Sequence, residues 1–155
     1  MSAWIFQGNP NDFDIDSYLR THDQVYWNLG RDSGKRLAIG DRAFFWRSEA
    51  GRTGTGGFVG IGRVSGMPRL VEEHGSPGNR LWRDPPSGHT PKVSIKVDEV
   101  RIEASEGMLR RVDLLRAPEL QGLTVLNMAN RTMFRIEDPR HEARLEALWR
   151  SVGVR

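Results

Sequence analysis

The 155-residue chain contains no cysteine, which excludes a disulfide framework, a thiolate metal cluster and a cysteine nucleophile, and agrees with a reducing compartment. It also lacks any run near the roughly 18 consecutive apolar residues that a membrane-spanning helix needs. The opening Met1 to Phe6 is followed at once by Gln7, Gly8, Asn9 and Pro10, without the basic and apolar regions of a secretory signal. A cytoplasmic protein with no membrane partner is therefore expected. Four histidines, at positions 22, 74, 89 and 141, have no metal-ligand spacing, so no metal is expected. The glycine loop at 51–57 lacks the Gly-Lys-Ser/Thr ending of a phosphate loop. Gly60-Ile61-Gly62 fails the dinucleotide fingerprint and reads as close strand packing. There is no Gly-x-Ser-x-Gly elbow, and Asp12, Asp14 and Asp16 read as helix-start acids favoured by the helix dipole. No catalytic constellation and no cofactor are expected.

What the chain does have is 37% hydrophobic and 28% charged residues and a net charge of +3, the composition of one soluble domain spanning 1–155. Of its 23 basic residues, 20 are arginine. The planar guanidinium pairs bidentately with phosphate and stacks on flat rings. A GC-rich coding sequence produces the same bias without functional meaning, and both readings stand at this point. Between Arg31 and Arg69 eight basic residues face three acidic ones, whereas residues 1–30 hold one arginine and four aspartates. That asymmetry suits a basic stripe meeting a polyanion, although charged strands also serve simply as solvated faces.

The hydrophobic pattern orders the elements. Ala3 to Phe6 reads as a strand stopped by Gly8-Asn9-Pro10. Asp14 caps a short helix to Arg20 whose Ile15, Tyr18 and Leu19 share a face. Asp41 to Ser48 and Phe58 to Val64 form an antiparallel hairpin across the glycine loop. On the first of these strands Phe45 is expected in the core and Trp46 partly exposed. Residues 65–90, rich in proline and glycine, read as a long irregular excursion. Pro91 to Ile102 alternates as a half-buried strand. Thr132 to Ile136 is expected as the last strand, and Asp138-Pro139 opens a helix with His141, Leu145, Leu148 and Trp149 on one face. Strands with short helices near both ends predict an α+β domain built on a small, closed, curved barrel.

Five tryptophans stand at 4, 27, 46, 82 and 149. Trp4 and Trp149 belong to core elements. Trp27 and Trp82 lie in segments with polar and charged neighbours, where an indole can stack on a base for roughly 1–3 kcal/mol. The competing reading is that they cap the barrel ends.

Trp27-Asn28-Leu29-Gly30-Arg31, then Ile39-Gly40-Asp41-Arg42-Ala43-Phe44-Phe45-Trp46, then Gly57-Phe58-Val59-Gly60-Ile61-Gly62-Arg63-Val64 resemble, in order and spacing, the EVE domain. Trp4-Ile5-Phe6 with Asn9-Pro10, the strand Pro91 to Val100, and Met128 to Ile136 before a final helix agree, so the resemblance covers roughly residues 3–150. EVE domains belong to the PUA-like superfamily and are related to YTH domains, which hold a methylated adenine in a tryptophan cage. The resemblance implies a five- to six-stranded PUA-like β-barrel flanked by short helices, with a pocket for a modified, flipped-out base. By position Trp27 looks like the first cage residue, and Trp82 matches a later one by order. Asn9 and Pro10 look like its polar floor, with Asn28 able to read a base edge and the Gly60 to Gly62 strand, including Gly62, as a border. Arg31, Arg36, Arg47 and Arg63 are the expected phosphate contacts. The implied partner is DNA or RNA carrying a modified base. The chain holds no nuclease segment, so cleavage or modification would fall to a separate enzyme. A pocket for a nucleotide or another planar small molecule, or an enzyme on the same barrel, is the alternative. Salt separates the two, since polyanion binding weakens steeply with ionic strength.

Overall fold

The computed structural model describes residues 1–126 and 131–153. Eight strands form one mixed sheet: β1 (Ala3–Gly8), β2 (Gln24–Asn28), β3 (Arg42–Arg47), β4 (Gly57–Val64), β5 (Arg69–Glu72), β6 (His89–Val100), β7 (Leu109–Arg110) and β8 (Met133–Arg135). The main path runs β2-β6-β4-β3-β1-β8, with β5 paired to β6 and β7 to β4. The β1/β3 pair is parallel and the other ladders are antiparallel. Three helices, α1 (Ile15–Thr21), α2 (Arg111–Leu114) and α3 (Pro139–Gly153), complete the α+β fold.

Alternation along β1 and β3 builds two cores, because successive side chains leave a strand on opposite faces. Trp4, Phe6, Ala43 and Phe45 point into the curl of the sheet. Ala3, Ile5, Phe44 and Trp46 point outward, where Leu145 and Trp149 of α3 cover them. Trp46 is thus fully buried against the Phe58 ring 4.7 Å away, not partly exposed. The expectation failed because a helix seals the outer face, so both faces of β3 are apolar.

Asp41 explains the Gly-Asp turn. Its buried carboxylate accepts from the Trp4 indole at 3.0 Å, the Ala38 amide at 3.0 Å and the Ser2 amide at 3.2 Å, tying the start of β1 to the start of β3.

The hairpin of β3 and β4, the Asp14 cap of α1 and the helix opened by Pro139 lie where the sequence places them. The 65–90 excursion is more regular than expected. Its first part is β5, an edge strand pairing with the start of β6, and its remainder is pinned by Glu73 N–H donating to Gly88 O and by a 3₁₀ turn at Asn79–Leu81.

The barrel is a curled sheet rather than a closed ladder, since among the described residues no strand pairing joins β2 to β8. Its ends meet through other contacts. The Trp27 indole donates to Gln7 O at 3.2 Å, Gln7 N–H donates to Thr132 O at 2.8 Å, and Gly30, at φ +62°, lies against the Thr132 side chain, leaving no room for a Cβ. Of the stretch from Met128 to Ile136, residues 128–130 lie outside the described residues. Among the described residues no helix is long and apolar enough to cross a membrane.

Candidate functional site

Where the sheet ends meet, a cleft of about 320 Å³ opens between the ends of β1 and β2, the start of β6 and the 77–82 turn. Its aromatic wall is built from three segments. Trp27 comes from β2, Phe13 from the turn before α1, and Trp82 from the residue that follows the 3₁₀ turn at Asn79–Leu81 in the long excursion. Phe13 and Trp82 form an isolated β-bridge, with Arg83 N–H donating to Asp12 O and Asp14 N–H to Leu81 O, so backbone pairing holds Trp82 in place. Their rings lie 4.7 Å apart.

Trp27 and Trp82 therefore do come together, but differently exposed. Trp27 is 5% exposed and packs against Phe6, Phe13 and Phe45, forming the cleft floor as part of the core. Trp82 is only partly buried and forms the accessible wall.

Asn28 lines the cleft beside them, and its buried Oδ1 has no hydrogen-bond partner among the described residues. Thr132 Oγ1 is in the same condition. Asn9 also borders the cleft, but its Oδ1 accepts from the Asn11 amide, so it fixes a turn more than it forms a floor. Pro10 is exposed in that turn and does not line the cleft. Gly60 and Gly62 lie elsewhere, correcting their expected place on the border. A Cβ on Gly60 would press on Phe45 and Glu99 O, and one on Gly62 would collide with Lys96 O, so both permit the close, bulged crossing of β4 and β6.

Three cleft features escaped the sequence. Phe13 reads there as an isolated aromatic in a polar turn. Tyr18, on α1, accepts from Tyr26 N–H at 2.9 Å, and burial pushes its phenol pKa up to about 12, so it stays a neutral hydroxyl. Lys92, on β6, pairs with the fully buried Glu73 at 2.6 Å, and Glu73 also accepts from Thr90 Oγ1. The signal for this pair was faint: Lys92 falls on a polar position of an alternating strand, as a solvated lysine would, and its partner lies in the excursion.

The expected phosphate contacts do not gather. Arg47 is 7% exposed, and its guanidinium is spent on both Asp16 oxygens and on Thr55 O, which locks α1 to the end of β3. That burial removes it from any phosphate. Arg36 pairs with Glu137 and lies over Trp4, at the end of β1 remote from the cleft. Arg63 pairs with Asp98 on the surface beside α3. Arg31, exposed just after Gly30, is the one of the four placed beside the cleft. Among the described residues no group of three or more metal-ligating side chains forms.

A curled mixed sheet with three helices and an aromatic cleft at one end makes an α+β half-barrel. The EVE domain family matches residues 2–146, and the chain belongs to that family. No curated protein matches it in sequence. Among solved structures, a hypothetical protein from Leishmania major is similar, with a TM-score of 0.69 at 14% identity over 97% of this chain and 96% of that one. The DUF55 domain of human thymocyte nuclear protein 1 gives a TM-score of 0.67 at 11% identity over 96% of this chain and 99% of that one. Human THYN1 protein in complex with 5-methylcytosine-containing DNA gives 0.62 at 13% identity over 96% and 98%. At these identities the likeness is one of fold.

Proposed function

We propose that this chain, acting as one EVE domain, is a nucleic-acid-binding module that takes a flipped-out, methylated base into the aromatic cleft. The observation that carries the reading is the cleft itself, which is lined by a partly open indole, Trp82, by Trp27 and by Asn28 with its unsatisfied oxygen. Flipping a base forfeits its stacking, which an indole restores, while an amide meets the polar edge of the base. The volume lies at the small end of the range for ligand sites, about 300–1,000 Å³, which suits one planar group. The likeness to a fold solved with methylcytosine DNA supports the same partner class. A binding module of this kind does no chemistry, and a separate nuclease or modifying enzyme would act on what it marks.

Burying one methyl group contributes about 0.8 kcal/mol, a preference near fourfold. Fluorescence anisotropy against oligonucleotides with 5-methylcytosine, N6-methyladenine or no mark should show at least that preference for one mark. Trp82→Ala, with its fold verified by circular dichroism, should remove the preference and weaken binding at least fivefold. Equal affinity of the wild type for all three would refute the reading.

A further inference from the structure

Most arginines of the chain are held by carboxylates, in pairs such as Arg20–Glu106, Arg36–Glu137, Arg101–Glu99 and Arg140–Asp138. Arg52 and Arg116 aside, those with no carboxylate in reach among the described residues are Arg31, Arg69, Arg80, Arg83 and Arg131, and all five are exposed. They come from four separate stretches of chain, yet Arg131 lines the cleft and the other four lie close, along the chain or in space, to residues that line it.

Arg131 lines it directly. Arg31 follows Gly30, which is pressed against the cleft-lining Thr132. Asp32, next to Arg31, turns its carboxylate to the Gly34 amide. Along the chain, Arg80 stands between two lining residues, Gly78, which packs on the Tyr18 ring, and Trp82. Arg83 is anchored through its amide to Asp12. Arg69 lies 5.6 Å over the ring of Tyr26, another lining residue.

The interior is charged differently. Lys92 is neutralised by Glu73, and the Asp12 carboxylate repels anions, so the positive potential sits on the mouth and not on the floor.

We propose that these five arginines form a phosphate-binding rim, in which Arg31 and Arg131 on one wall and Arg80 and Arg83 on the other hold the backbone on either side of the nucleotide whose base enters the cleft. This rests on the cleft being a base site. It replaces the linear Arg31 to Arg69 stripe with a ring assembled by the fold. Unpaired guanidiniums are the ones a phosphate can engage without first breaking an ion pair, and each phosphate neutralised steepens the salt dependence of binding.

The test measures the slope of log affinity against log salt for a fluorescein-labelled single-stranded oligonucleotide, with and without a methylated base. Arg31→Gln with Arg131→Gln should lower the slope by about 1 to 2, as should Arg80→Gln with Arg83→Gln, whereas the control Arg36→Gln with Arg63→Gln leaves it unchanged. All are exposed residues, and two independent rim pairs guard against one variant misfolding. Unchanged slopes in both rim pairs, with methyl preference intact, overturn the rim and leave the base reading standing. Lowered slopes in a protein indifferent to methylation support the rim while the base reading falls. Competition by polyglutamate as effective as by the oligonucleotide overturns phosphate as the ligand and points to an acidic protein.

Discussion

Asn28 carries a buried amide oxygen that nothing among the described residues satisfies. Leaving such a group unpaired costs about 1–3 kcal/mol, and native proteins keep few of them. A residue retained for stability would not be left in that state, whereas one that meets a ligand would. Asn28→Ala should therefore leave the urea midpoint unchanged or raised while weakening binding of the methylated oligonucleotide about tenfold. A clear loss of stability with binding intact would sink that view. Trp27 behaves in the opposite way, because three aromatic rings pack on it and truncation to alanine costs about 3–5 kcal/mol. Its contribution to binding is measurable only with Trp27→Phe, which keeps most of the packing.

Elements whose signals are local were legible in the sequence. Asp14 and the apolar face of α1, the Asp138-Pro139 start of α3 and the β3/β4 hairpin each depend on neighbours a few residues away. Strand β5 was not legible, since Arg-Leu-Val-Glu at a sheet edge has neither length nor alternation. Nor was the burial of Arg47, which follows from Asp16, 31 residues earlier in the chain. The same division runs through the cleft. Trp27 and Trp82 stand out as residues, but Phe13 and Tyr18 join them only once α1 packs against β2. That packing has a pH signature. Burial holds the Tyr18 phenol near 12 in the folded chain against 10 in the unfolded one, so its stabilisation is complete below pH 10 and is lost as pH rises towards 12. Urea unfolding between pH 9 and pH 12 should show an alkaline loss on the order of 2 kcal/mol, and Tyr18→Phe should lack it. An identical pH profile in the variant would assign the loss to other groups.

Across the whole molecule the cleft exists because the excursion after β5 folds back over the sheet, and the buried Lys92–Glu73 pair is where it is fastened. Lys92 stands opposite Asn28 on β2 and Arg69 on β5, so one side chain sits at the junction of three strands. Its partner Glu73 opens the stretch that leaves β5, and Trp82 is carried midway along that stretch before it returns to β6. Desolvating two charges consumes most of their attraction, so the pair adds little net stability. Removing only one partner strands a buried charge, at a cost of about 3–5 kcal/mol. Glu73→Gln should therefore lower stability by roughly that amount, while Lys92→Met with Glu73→Leu recovers much of the loss. The double variant no longer has the charged fastening that holds the Trp82 wall, so methylated-oligonucleotide affinity should stay depressed when stability returns. Urea unfolding and anisotropy on the same three proteins separate the two effects. If affinity returned together with stability in the double variant, the pair would be acting only as core, and the wall would be held by its backbone bridge to Phe13 alone.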